Sequence, residues 1–398
     1  MAERRLRVGA VGLGKAFTLM LPALAADPRI ELVAAADPRT EARERFAADF
    51  GARGHPSVEA LCADPAVEVV YVATPHQNHV EHVALAAASG KHVLVEKPMA
   101  ITLAECERMI EATERAGVVL VVGHSHSFDR PILRTREIVD SGAVGAVRMI
   151  NAQYYTDFLY RPRRPEELDT ARGGGVVFSQ GAHQIDIVRL LAGGRAASVH
   201  AFTGAWDASR PTEGAYAALL KFEDGVFASL LYSGYAHFDG DEFCGGIGEL
   251  GREKAAGWYG SARRGLRHAA NAGEEAALKQ GRNYGGAEYP QSATAIAAGS
   301  WYEHFGVVLV SCERADLRSL SNGVMIYGDE ETRFEALPQP AIPRVDVIDE
   351  LYAAVVDGRA PLHDGRWSMA TLEVCLGILQ SAREGREIAL RHQVGVRR

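Results

Sequence analysis

The sequence predicts an α/β protein: a doubly wound parallel sheet at the N-terminus, followed by an α+β domain on a mostly antiparallel open sheet. Three observations carry this. Up to about residue 125, continuous apolar runs alternate with helix-period stretches, as in parallel strands covered on both faces. The first run ends in a glycine turn, Gly12-Leu13-Gly14. Beyond residue 125 the strand-like segments are joined by short turns such as Glu223-Asp224-Gly225 and Ser321-Asn322-Gly323. The expected domains are residues 1–125 and 126–398.

Composition narrows the function. A chain of 398 residues exceeds what one hydrophobic core usually holds. Hydrophobic residues at 47% and charged residues at 24% are ordinary for a globular protein. A net charge of -8 argues against a nucleic-acid partner, because phosphate binding needs a basic surface. No apolar stretch reaches the roughly 18–20 residues of a membrane span, and none at the start resembles a signal peptide. Cys62, Cys106, Cys244, Cys312 and Cys375 are scattered without CxxC spacing, so neither a disulfide frame nor a metal site is expected. The expected location is the cytoplasm.

In the first part the strand-like runs are Leu6–Val11, Ile30–Ala36, Val67–Ala73, Val93–Val95 and Val118–Val122. Helix-period stretches lie at Arg39–Phe50, Val80–Ser89 and Leu103–Ala116. In the second part strands are expected at Val147–Tyr155, Ser198–Thr203, Tyr216–Phe222, Val226–Tyr235, Val307–Cys312 and Gly323–Tyr327. Helices are expected at Pro131–Ser141, His183–Leu191 and Ala262–Gln280, with two late ones at Val345–Val356 and Ser368–Arg383 that pack back on the body. The Gly/Ala-rich residues 252–300 have no functional reading.

Ligands of a doubly wound sheet bind at the carboxyl ends of its strands. There, Gly12 permits a tight strand-to-helix turn and Gly14 lets backbone N–H groups approach a pyrophosphate, with Lys15 and Ala16 beside it. The third glycine position of GxGxxG is Phe17, which leaves close helix–strand packing open. Asp37 ends the next strand about 20 residues on, where an acid accepts the adenosine ribose hydroxyls and favours NAD. Arg39 could instead accept a 2′-phosphate, so NADP stays open, and Asp37 could equally cap the following helix. Thr74, Pro75, Asn78 and His79 lie where the cofactor passes, although His79 could be a surface helix-start residue.

Glu96-Lys97-Pro98 ends a buried strand, where burial and a neighbouring charge can set the Lys97 pKa for proton transfer. In the second part, Gly173-Gly174-Gly175 allows close backbone approach to a ligand. Ser179 and His183 are four apart on one helical face, and Asp186 can orient the His183 imidazole. A histidine–aspartate pair on a helix is more often structural; the glycine run and the cofactor turn favour chemistry here.

These segments in this order resemble the Gfo/Idh/MocA oxidoreductases over nearly the whole chain. The resemblance implies an N-terminal Rossmann domain, an NAD cofactor, and Lys97 and His183 facing the substrate carbon beside the nicotinamide. It also implies a homodimer or homotetramer built through the C-terminal sheet, and a Lys97–Pro98 bond that is often cis. Where the family often has Asp four residues before the histidine, this chain has Ser179, so whether Lys97 or His183 is the base stays open.

Two segments address the substrate. Tyr160-Arg161-Pro162-Arg163-Arg164-Pro165 sets three arginines within four residues, an anion clamp stiffened by prolines or else a solvated basic loop, with Arg172 as a further candidate. His124 and His126 stand where sugar-oxidising relatives commonly carry Asn and Arg. Together they resemble the phthalate 4,5-cis-dihydrodiol dehydrogenase branch, implying a small anionic cyclic diol oxidised to a catechol. The alternatives are an NAD(P)-dependent sugar or cyclitol dehydrogenase of the same family and a non-catalytic NAD(P)-binding sensor.

Overall fold

The computed structural model describes residues 4–255, 257–258, 260–289 and 300–397. Residues 1–3, 256, 259, 290–299 and 398 lie outside them, so the first residues and part of the Gly/Ala-rich stretch have no structural account. The described chain forms two compact units, divided between His124 and Ser125.

The first unit runs β1 (Leu6–Val11), α1 (Lys15–Ala26), β2 (Ile30–Ala36), α2 (Thr40–Phe50), β3 (Arg53–His55), α3 (Val58–Cys62), β4 (Val69–Val72), α4 (His79–Ala88), β5 (His92–Val95), α5 (Leu103–Ala116) and β6 (Leu120–Val122). The strands are parallel and ordered β3-β2-β1-β4-β5-β6, the doubly wound order. Apolar runs form these strands because both faces are covered: every residue of β4 is buried. α5 shows how a flanking helix is specified. Cys106, Met109, Ile110 and Thr113 bury one stripe, Thr102 and Glu105 form a capping box, and Gly117 closes the helix in the left-handed region.

The second unit runs α6 (Arg130–Asp140), β7 (Val147–Tyr155), α7 (Ala182–Ala192), β8 (Ala196–Gly204), β9 (Ala215–Phe222), β10 (Phe227–Ser233), α8 (Ser261–Leu266) and the start of α9 (Ala272–Gly281). It continues with β11 (Val307–Cys312), β12 (Ala315–Leu320), β13 (Gly323–Gly328) and β14 (Thr332–Ala336). After α10 (Val345–Val356), α11 (Gly365–Glu384) leads to β15 (Ile388–Ala389). The strand order is β14-β13-β12-β11-β7-β10-β9-β8-β15, antiparallel except for β7 with β10. Strict alternation in β9 turns Tyr216, Ala218, Leu220 and Phe222 inward, so one face of the sheet carries the core.

Two segments after residue 125 return to the first unit: the chain from Ala276 and Ile342–Met369. The division therefore differs from two contiguous stretches. Tyr284 is fully buried edge-on to Phe17, with ring centroids 5.4 Å apart, and beside Phe46 at 6.2 Å. α10 is tied to the same unit by the Asp349–Arg29 ion pair at 2.6 Å and by Arg29 over the Tyr352 ring.

The helix expected over Ala262–Gln280 is two, α8 and α9. Asn271 Oδ1 accepts the Glu274 N–H at 3.0 Å while Glu274 reaches back to Ala270 N, which starts a new helix. β3, β12, β14 and β15 were not expected, being short or rich in polar residues. Among the described residues no helix is long and apolar enough to cross a membrane. All five cysteines are free, three buried and Cys244 and Cys312 half-buried.

Candidate active site

In the first unit the glycine turn is built as its sequence requires. Gly12 has φ +87°, and a Cβ there would meet the Ala73 carbonyl at 2.9 Å, so only glycine fits. Gly14 is the N-cap of α1 at φ −84°, and a Cβ added to it would meet nothing within 4 Å. Lys15 is exposed and Ala16 half-buried at the first turn of α1. A helix N-terminus with open space over its cap fits a dinucleotide pyrophosphate. Phe17, in place of the third glycine, is fully buried and packs laterally on Phe46 of α2, with centroids 6.0 Å apart.

Asp37 ends β2 and is buried. Its Oδ2 accepts Leu13 N–H at 2.8 Å, which ties the acid to the glycine turn. Arg39 folds back over it: Nε donates to Oδ1 at 2.9 Å and Nη2 to Oδ2 at 3.1 Å. The same guanidinium donates to the carbonyls of Leu13 at 2.9 Å and Tyr284 at 3.1 Å. Asp37 and Arg39 thus form one bidentate ion pair at the end of β2.

The β4 and β5 ends are held together by His79. It is fully buried, with Nε2 2.9 Å from the Thr74 carbonyl and Nδ1 3.1 Å and 3.2 Å from the Pro98 and Met99 carbonyls. Burial holds its pKa below the usual histidine value. His79 therefore positions two loops and is not on the surface. Thr74 Oγ1 meets His82 Nδ1 at 3.0 Å, and Pro75 accepts the Asn78 N–H at 2.9 Å. Glu96 is buried and accepts the Tyr71 hydroxyl at 2.6 Å. Burial raises its carboxyl pKa, against the opposing Tyr71 hydroxyl and the nearby Arg344 and Lys97 cations. Lys97 follows, half-buried, and the Lys97–Pro98 bond is cis. His124 is buried at the end of this unit, after a second cis bond from Gly123.

In the second unit His183, near the start of α7, is buried. Its Nδ1 accepts the His126 N–H at 3.4 Å, and its ring lies 4.6 Å from the His126 ring and 5.1 Å from Phe305. His126 Nδ1 meets Asp129 Oδ2 at 2.6 Å. Burial opposes a charge on His126, yet the Asp129 carboxylate, with Glu303 and Glu249 beyond it, outweighs burial and raises its pKa. Asp186, expected to orient His183, accepts the Ser127 hydroxyl at Oδ2 and the Thr371 hydroxyl at Oδ1, the latter at 2.8 Å. Arg189, fully buried, lies 4.0 Å from it.

Ser179 lies in a π-helical turn, Val177–Gly181, rather than in an α-helix, and its hydroxyl donates to the Gly175 carbonyl. The glycine run before it also differs from expectation. A Cβ at Gly174 would meet the Glu166 carbonyl at 2.7 Å, and one at Gly175 (φ +82°) would fall on the Glu213 carboxylate. Glu213 is buried, caps this helix start through Val177 N–H at 3.1 Å, and also accepts the Thr170 hydroxyl. Internal packing, not ligand approach, requires these glycines.

The arginine cluster is likewise engaged by its own chain. Arg161 pairs with Glu249 at 3.2 Å, and Arg164 with Glu166 at 3.2 Å and Glu167 at 3.5 Å. Arg163 stacks 3.6 Å over the Phe158 ring and donates to the Phe158 carbonyl at 2.9 Å. Its Nε is buried without a hydrogen-bond partner. Burial, reinforced by the positive Arg161 and Arg210, lowers its pKa to about 10 against the pull of Glu167. Arg210 is buried, pairs with Glu275 at 2.7 Å, and has the same orphan Nε. Its isolation in sequence hid it. Arg172 is exposed. Tyr160 donates to Asp207 at 2.8 Å and lines a separate cleft of about 640 Å³ with Trp206, Tyr235 and Arg263.

Residues 6–124 match the model of an oxidoreductase family with an NAD-binding Rossmann fold, and residues 132–251 match the GFO/IDH/MocA C-terminal domain. The chain is 48% identical over 379 residues to 1-carboxy-3-chloro-3,4-dihydroxycyclohexa-1,5-diene dehydrogenase of Comamonas testosteroni, covering 95% of each chain. It is 30% identical over 190 residues to myo-inositol 2-dehydrogenase of Thermotoga maritima, 47% of this chain and 55% of that one. A Bordetella bronchiseptica RB50 protein described as a dehydrogenase superposes with a TM-score of 0.90 at 45% identity, over 97% of this chain and 100% of that one. The chain belongs to the GFO/IDH/MocA family and is an NAD-dependent oxidoreductase with an N-terminal Rossmann unit.

Proposed function

We propose that the protein oxidises a carboxylated cyclic cis-dihydrodiol, of the phthalate 4,5-cis-dihydrodiol type, to the corresponding catechol. The observation that carries this is the 48% identity, over 95% of both chains, with a dehydrogenase whose name specifies a carboxylated dihydroxycyclohexadiene. The half-buried Arg163 and the buried Arg210, each with an Nε that lacks a partner, support an anionic ligand.

NAD, when bound, supplies the hydride acceptor. The chain's own residues bind and orient the dinucleotide through the Gly12–Gly14 turn and Asp37, and handle the hydroxyl proton. Lys97 and His183 are the two candidates for that proton. Loss of hydride from one carbinol carbon and a proton from its oxygen leaves a hydroxy-dienone, which enolises to the catechol. Aromatisation drives the reaction, so orientation and a proton acceptor suffice.

The reading includes a homo-oligomer assembled through the second-unit sheet. Phe202, Leu219 and Phe227 are 68%, 60% and 49% exposed on its strands. Light scattering after gel filtration checks it, and a monomer at micromolar concentration refutes it.

The deciding experiment is a panel of cis-dihydrodiols, with and without carboxylates, followed by NADH absorbance. Oxidation of inositol or sugars but of no dihydrodiol would instead establish the cyclitol reading. NAD binding without turnover of any diol would establish a sensor.

A further inference from the structure

We propose that His126, Asp129 and Glu303, all in the second unit, form a divalent-cation site whose open positions take the two vicinal hydroxyl oxygens of the diol. The second half of this rests on the dihydrodiol reading; the site itself does not. One ligand-capable atom from each of the three lies within 4.8 Å of those of the others. His126 and Asp129 are buried and Glu303 half-buried. Donors on one ion with bonds of about 2.0–2.2 Å lie up to roughly 4.4 Å apart, so small side-chain shifts close the set.

The donor chemistry is specific. One imidazole with two carboxylates suits Zn²⁺, Mn²⁺ or Fe²⁺ rather than Ca²⁺, which prefers all-oxygen cages. Two carboxylates offer two negative charges to an ion held beside the imidazole, which a divalent ion balances. An octahedral ion such as Mn²⁺ or Fe²⁺ keeps positions open beyond these side chains. Ser125, next to His126 in the chain, has a buried Oγ with no hydrogen-bond partner.

Position ties the site to the reaction. The His126 ring lies 4.6 Å from that of His183, so an ion there is beside a proton-handling candidate. Neighbouring cis hydroxyls bite one cation in a five-membered chelate, and a bound cation lowers the pKa of the hydroxyl to be deprotonated. The spacing His-x-x-Asp from one loop and a carboxylate more than 170 residues later is invisible to a motif search.

The test is calorimetric titration of chelator-treated full-length protein with Mn²⁺ and Zn²⁺ separately, beside the Asp129→Asn and Glu303→Gln variants. The expected result is one equivalent bound by the wild type and at least a tenfold weaker affinity in each variant. Unchanged circular dichroism of the variants shows that the fold survives; if Asp129→Asn fails to fold, Glu303→Gln alone decides. No saturable binding by the wild type, or equal affinity in the variants, overturns the site. Dihydrodiol oxidation by metal-free enzyme is measured in parallel. Rates that fall and recover on adding the ion support the chelate, and undiminished rates overturn it while leaving the dehydrogenase reading intact. One equivalent bound with no dihydrodiol oxidised supports the site and refutes the substrate reading instead.

Discussion

Gly12-Leu13-Gly14 and Gly173-Gly174-Gly175 each lead into a helix, and both start from glycines at positive φ. In the first turn the space over the helix cap is open, since a Cβ on Gly14 would meet no protein atom. In the second turn the corresponding space holds the chain's own Glu213 carboxylate, which accepts the Val177 N–H. A helix N-terminus favours an anion in either case. One region leaves that anion to a ligand; the other supplies it internally. Glycines therefore report that the backbone must bend tightly, while the contents of the space depend on residues far away in sequence.

The largest effects should separate the proton handlers that follow each turn. Lys97→Ala and His183→Ala should each lower turnover by about 10²–10⁴-fold, roughly 3–5 kcal/mol, with NAD affinity little changed. Stopped-flow NADH formation and equilibrium NAD titration check this; near-normal turnover in either variant removes that residue from proton transfer. Gly175→Ala should lower unfolding stability by about 2–4 kcal/mol, because it combines a left-handed φ with displacement of a buried carboxylate. A urea midpoint equal to wild type would show that the Glu213 cap is dispensable.

Arg163→Ala should raise the KM for a carboxylated substrate by about tenfold or more, as expected for a charge-assisted hydrogen bond of roughly 1.5–3 kcal/mol. An unchanged KM would place the anion elsewhere. Gly14→Ala should leave stability within about 0.5 kcal/mol of wild type but weaken NAD roughly tenfold, since only a ligand approaches that Cβ. Equal NAD affinity would mean that the cofactor does not approach this cap.

The smallest effect is a pH dependence. Burial raises the Glu213 pKa above its ordinary 4.5 against the hydrogen bonds it accepts from Thr170 and Val177. The folded state then holds the proton more tightly than the unfolded state. That contribution is present below the unfolded value and lost as pH rises through the folded one. Glu213→Gln should therefore gain stability relative to wild type between acidic and neutral pH. A wild-type-to-variant difference that is the same at pH 4 and pH 7 would contradict this.

Much of the first unit was legible in the sequence. Leu6–Val11, Ile30–Ala36 and Leu103–Ala116 have the expected bounds because period and caps are local signals. The second unit was less so. The π turn that carries Ser179 leaves no spacing signature, and β12, with Asp316 and Arg318 on it, does not read as a strand. The arginine run was legible as charge only. Its ion pair with Glu249, and the buried Arg210 beside Glu275, join residues far apart in sequence.

The sequence by itself determined the parallel α/β architecture, the dinucleotide turn and the Glu96-Lys97-Pro98 position at a strand end. These follow from apolar periodicity and from backbone conformations that only glycine allows. The tertiary structure alone decided that Asp37 is tied to the glycine turn through Leu13, that His79 joins two loops, and that Glu213 fills the second glycine turn. It also decided that Glu303 comes beside His126 and Asp129. The physical reason is common to all four: a carboxylate or imidazole acts through whatever charge or dipole lies within a few ångströms, and those neighbours come from sequence positions that only folding brings together.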